Sequence, residues 1–122
     1  MKTIKVDMMY DKMMISRLFH IVESVMKDFL NKKIVLSETN CYGQLCYTEN
    51  KDGYDIQITK YNEDTTVITI SYRQNTYVHS VSAYIMGQIV SYSYMKECKT
   101  TGTKCYTELT KNGKIIHENI FE

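Results

Sequence analysis

Four cysteines stand in two short turn-rich stretches, Cys41 and Cys46 in "CYGQLC" and Cys98 and Cys105 in "CKTTGTKC". Such a set raises three chemistries: a zinc site, cross-strand disulfides, or reduced thiols acting as small apolar residues beside turns. In antiparallel hairpins closed through these stretches Cys41 would face Cys46, and Cys98 would face Cys105. The spacings are C-x4-C and C-x6-C, wider than the C-x2-C knuckles that structural zinc prefers. Disulfides need an oxidising compartment, and the opening "MKTIKVDMMYDK" has no apolar run of signal-peptide length. Reduced core cysteines are therefore expected, with Cys41, Cys46, Cys98 and Cys105 kept as candidate zinc ligands and no other cofactor implied.

The three histidines, His20, His79 and His117, are far apart in the sequence. Each reads first as an exposed or hydrogen-bonded side chain and only second as a base or ligand. His117 and Glu118 would point to opposite faces of a strand, which suits no shared task. There is no nucleophile elbow, phosphate-binding loop, H-E-x-x-H or G-x-G-x-x-G. A cysteine and a histidine brought together by the fold remain open as a nucleophile pair. A non-enzymatic protein is expected.

Tyrosine is the abundant functional side chain. Tyr72, Tyr77, Tyr84, Tyr92, Tyr94 and Tyr106 fall in neighbouring candidate strands, and period-two alternation puts Tyr92 and Tyr94 on one side with Val90 and Lys96. A flat apolar ring with a polar tip, ordered at low entropy cost, suits protein contacts and base stacking; it also suits a half-buried sheet. Arg73, one of two arginines, lies in "YRQNTY", where flanking rings could hold its guanidinium. The expected binding residues are Arg73, Tyr77, Tyr92, Tyr94 and Lys96, with Arg73, Tyr77, Tyr92 and Tyr94 exposed and contributing to a contact surface. Ser80 with Ser82, and Ser91 with Ser93, share faces of adjacent strands, as on an ordinary outer face or a pocket floor.

These residues must be positioned by one helix and a run of strands. In "DKMMISRLFHIVESVMKDFLNKK", Ile15, Leu18, Phe19, Val22, Val25, Met26, Phe29 and Leu30 recur at helical spacing, with Arg17, His20, Glu23 and Lys27 opposite. Asp11 suits an N-cap, Glu23 with Lys27 and Asp28 with Lys32 suit i,i+4 pairs, and the helix should run from about residue 11 to about residue 32. Strands are expected over 34–38, 44–49, 54–61, 65–73, 76–86, 88–97, 103–110 and 114–121, rich in β-branched and aromatic residues. A further opening strand is expected around Ile4, Val6 and Met8. Turn signals such as "NKDG", "TTG" and "KNG" separate the segments, and connections so short require antiparallel neighbours. The fold class is α+β, one domain over 1–122: an amphipathic helix packed on a long antiparallel meander. That element order resembles the cystatin-like and helix-grip architectures, and it transfers no function.

Composition bounds the partners. A net charge of +1 supplies no bulk field for nucleic acid or an anionic membrane. No stretch of 18 apolar residues occurs, so a soluble cytoplasmic protein is expected. Thirteen Lys, thirteen Ile and eleven Tyr against one Ala and no Pro follow AT-rich codons, pointing to a low-GC bacterium or to a virus or mobile element within one. Two function classes follow. The first is a small inhibitor of the anti-CRISPR or other anti-defence type, occluding a host protein. The second is a module holding a small molecule or nucleotide in a tyrosine-lined pocket between sheet and helix. Exposed strand edges also admit a homodimer.

Overall fold

The computed structural model describes residues 10–121, and of 117–121 the backbone alone. The expected strand at Ile4, Val6 and Met8 and the side chains of His117 and Glu118 lie outside the described residues.

Helix α1 spans Tyr10–Leu30 and buries Met14, Ile15, Leu18, Phe19, Val22 and Val25. Their spacing of three and four residues makes one apolar stripe, as the sequence requires. The C-terminus closes by two reverse bonds, Lys33 N–H to Asp28 C=O at 2.9 Å and Lys32 N–H to Phe29 C=O at 3.0 Å. This is a Schellman cap, with Lys32 in the left-handed position at φ 60°. The left-handed turn takes Lys32 off the helical face, and no ion pair with Asp28 forms.

Eight strands follow: β1 Glu38–Thr39, β2 Leu45–Lys51, β3 Tyr54–Lys60, β4 Thr65–Arg73, β5 Tyr77–Met86, β6 Ile89–Cys98, β7 Lys104–Leu109 and β8 Ile115–Phe121. They form one antiparallel sheet whose spatial order is the chain order, so the protein is α+β. The strand expected at 34–38 shrinks to the two residues of β1, because Ile34 and Leu36 instead pack against the core. Turn chemistry sets the registers. Asp52 and Gly53 both take positive φ between Lys51 and its partner Tyr54, the two-residue hairpin that "DG" favours. Gly87, at φ 64°, opens the two-residue turn that pairs Met86 with Ile89.

Register assigns each residue to a face. Toward the helix point Ile56 and Ile58, Ile68 and Ile70, Val81, Ala83 and Ile85, Tyr92 and Tyr94, and Leu109, which with the helix stripe form the core. The opposite face carries Thr69 against Ser82 and Ser71 against Ser80, joined hydroxyl to hydroxyl at 2.9 and 2.8 Å. These cross-strand pairs satisfy the serines without a helix above them.

Candidate functional site

Tyr92, Tyr94 and Lys96, expected as binding residues, are buried under the helix. Alternation places them together correctly, but their face is the inner one, because Ser91, Ser93 and Glu97 are too small or too polar to fill a core. Tyr77, on the same inner face, is half-buried. Arg73 is exposed on the outer face, where its Nε donates to Asp55 Oδ2 at 3.2 Å. Since Tyr72 and Tyr77 point the other way, no pair of rings flanks it. The five residues therefore make no single surface.

What the burial creates instead is a polar network at the helix start. Lys96 Nζ donates to Asp11 Oδ2 at 2.8 Å and lies 4.6 Å from the centroid of the Tyr77 ring. Asp11 thus faces the sheet from the first turn of the helix. Beside this pair, His79 Nε2 meets Gln74 Oε1 at 2.9 Å, and Gln74 in turn bonds the Tyr10 hydroxyl. With Nε2–H donating, Nδ1 is left to accept from the Tyr94 hydroxyl at 2.7 Å. Asp11 and His79 are 2% and 1% exposed, and Tyr94 is fully covered.

The surroundings fix the protonation states. Burial, and secondarily the Lys96 charge, lower the His79 pKa against an opposing pull from Asp11, so the ring is neutral at pH 7. Burial, followed by the Asp11 carboxylate, pushes the Tyr94 phenol far above its ordinary range, so it keeps its proton and donates. Each member of this chain of bonds has a partner, which makes it a clamp between helix and sheet. His79 is a hydrogen-bonded side chain, one of the two forms expected for it from the sequence, and Asp11 and Lys96, opposite charges on the apolar sides of their elements, are the signal that marks the site.

The cysteines do not converge. Cys46 pairs across the strands with Glu38 and Thr59, and Cys105 with Lys96, while Cys41 is exposed in the β1–β2 turn. Cys98 N–H bonds Thr103 C=O, because the β6–β7 ladder ends at Glu97 and Lys104, so Cys98 does not face Cys105. None of the four cysteines is in a disulfide, and among the described residues no three His, Cys, Asp or Glu side chains gather. The four-cysteine zinc arrangement is therefore not built. Cys98 has its own environment: the Thr100 hydroxyl 3.3 Å away, then the Thr101 hydroxyl and the amides of both, hold its pKa down to about 6.

Two exposed features among the described residues bear on binding. On the outer face at the β5–β6 turn, Met86 pairs with Ile89, while Tyr84 lies between Val67 of β4 and Ser91 of β6. Tyr84, Met86 and Ile89 are 38%, 47% and 70% exposed, large apolar side chains gathered on one corner. Along the helix flanks run two clefts. One, of about 440 Å³, contains Tyr47 and Tyr54. It is the nearest feature to the expected tyrosine-lined pocket, yet Asp28, Glu49 and Asp52 line it against Lys51 alone among lysines and arginines, which repels a nucleotide phosphate. Between the clefts the helix–sheet interface is filled by side chains. No protein-family model, curated protein or solved structure matches the chain. None of the described helices is long and apolar enough to cross a membrane.

Proposed function

We propose that this chain is a small non-enzymatic binding protein that covers a site on a partner protein with the outer corner of its sheet. The observation that carries the reading is the exposed group Tyr84, Met86 and Ile89 on adjoining β5 and β6. An aromatic anchor, an adaptable thioether and an aliphatic side chain, with Ser82, Ser91 and Ser93 around them, match the apolar centre and polar rim of a protein contact. Asp11, His79 and Lys96 are buried between helix and sheet, Asp11 bonded to Lys96 and His79 to Tyr94 and Gln74, which favours a structural role for them over catalysis. The AT-rich residue usage favours a finer reading: an inhibitor from a phage or mobile element, of the anti-CRISPR or other anti-defence type.

The test is phage plaquing on bacteria carrying active CRISPR–Cas systems, with and without the chain expressed. Restored plaquing is expected, and loss of that effect is expected in Tyr84→Asp with Ile89→Asp at an unchanged melting temperature. Where a target is isolated, the double variant should bind about 30-fold more weakly, the cost of removing a hot spot. Plaquing unchanged by the wild-type chain would end the anti-defence reading. Full activity in the folded double variant would end the assignment of the surface.

A further inference from the structure

The second flank of the helix carries a cleft of about 800 Å³ between α1 and the β7–β8 turn. Its floor is Ile15, Phe19 and Ile115, and its rim includes Lys12, Lys111 and Lys114. The helical part of the lining runs from Lys12 to Glu23, about 16 Å at the rise of an α-helix. The geometry points to a binding site for a small amphipathic carboxylate, its apolar body on Ile15, Phe19 and Ile115 and its anionic head among the three lysines. This site lies apart from the outer corner of the sheet, so the two assignments stand or fall separately.

Three features support a ligand rather than a bare surface groove. First, none of the three lysines forms an ion pair with a described carboxylate, and among the described residues Glu23 is the one carboxylate in the lining. In a chain of net charge +1, three such ammonium groups around one cleft concentrate a positive field that the molecule as a whole lacks. Second, the cleft offers apolar surface that a simple inorganic anion would not use, supplied by half-buried Ile115 and the lysine stems above the nearly covered Ile15 and Phe19. Third, the wall is already in place. Thr110 N–H bonds Lys114 C=O at 2.8 Å, Gly113 N–H bonds Thr110 C=O at 2.9 Å, and the Thr110 hydroxyl accepts from the amides of Asn112 and Lys114 at 3.2 Å. Gly113 then rests directly on the Phe19 ring, so binding orders little that is not already ordered.

Charge complementarity separates the two helix flanks. The Tyr47 and Tyr54 side presents three carboxylates, whereas this side presents three lysines, so an anionic amphiphile is sorted to this side.

The experiment is an amide-resolved NMR titration of the full chain with dodecanoate and, in parallel, with dodecanol. Saturable dodecanoate binding is expected, with shifts at Phe19, Gly113 and Ile115 and weaker binding of the alcohol. The triple variant Lys12→Gln, Lys111→Gln, Lys114→Gln should lose about tenfold for dodecanoate and nothing for dodecanol. Ser16→Trp, which fills the cleft from an exposed helical position, should abolish both while the helix signals persist. Absence of saturation, shifts centred elsewhere, or equal affinity in the triple variant would overturn the site. Equal binding of acid and alcohol would overturn the role of the lysines and with it the proposed ligand class.

Discussion

Asp11 and Lys96 lie 85 residues apart in the chain and meet in a 2.8 Å ion pair between the first turn of α1 and strand β6. Both are buried, so the pair gives up two hydration shells for its mutual contact and for neighbours such as the Tyr77 ring beside Lys96. Its two halves should therefore respond differently to removal. Asp11→Ala leaves the lysine charge in the core and is expected to cost about 3 kcal/mol in urea unfolding. Replacing both partners, Asp11→Leu with Lys96→Met, should recover most of that loss. A single substitution costing no more than an exposed one would refute the clamp.

His79 makes the fold acid-sensitive. Its pKa in the folded protein lies below the ordinary 6.5, so the folded state binds fewer protons than the unfolded chain. Stability then rises with pH through the window from the folded pKa up to about 6.5 and is complete above it. On acidification through that window the melting temperature should fall. His79→Gln, neutral at every pH, should flatten this part of the profile, and an unchanged profile would assign the acid response to other groups.

The face occupied by each strand was only partly legible in the sequence. Strand limits followed turn chemistry closely, as at Asp52–Gly53 and Gly87, because those backbone conformations are local. Alternation also grouped Tyr92, Tyr94 and Lys96 correctly. It could not say that this group faced inward, since a lysine reads as exposed until its partner is known, and Asp11 is far away in sequence. The clamp and the helix-flank clefts depend on such long-range meetings, whereas the helix and hairpins depend on neighbours. The β1 segment shows the reverse error: Ile34 and Leu36 have strand character, yet the core takes them as isolated apolar contacts.

Cys98 should titrate as a thiolate near pH 6, because the Thr100 and Thr101 hydroxyls and then their amides stabilise the anion. Thiolate absorbance at 240 nm, measured as wild type minus Cys98→Ser, gives the curve directly. Thr100→Val removes the leading donor and should move the midpoint upward toward the ordinary 9.0. Since the folded pKa is depressed, the associated stabilisation is present above the unfolded value and is lost as pH falls through about 6.

Two glycines with similar backbone angles should differ sharply on substitution. Gly87, at φ 64°, has open space where a Cβ would stand, so Gly87→Ala carries only left-handed strain of about 1 kcal/mol. At Gly113, φ 77°, a Cβ would lie 2.9 Å from the Phe19 ring. Gly113→Ala adds overpacking to the strain and should cost about 2 kcal/mol or more. Equal melting temperatures for the two variants would refute the turn-on-ring contact.

The agreement of strand order with chain order carries a kinetic consequence. Every strand pairing in the sheet joins segments separated by a short turn, so zipping the meander closes only small loops and forfeits little chain entropy. The chain belongs with low-contact-order sheets, which fold faster than Greek keys or parallel barrels of the same length. The distant closure is the docking of α1 across β4 and β5, sealed by Asp11 on Lys96. A meander assembled hairpin by hairpin, with its helix arriving as a latch, would place the transition state in the sheet and leave the buried ion pair to govern how fast the finished molecule opens.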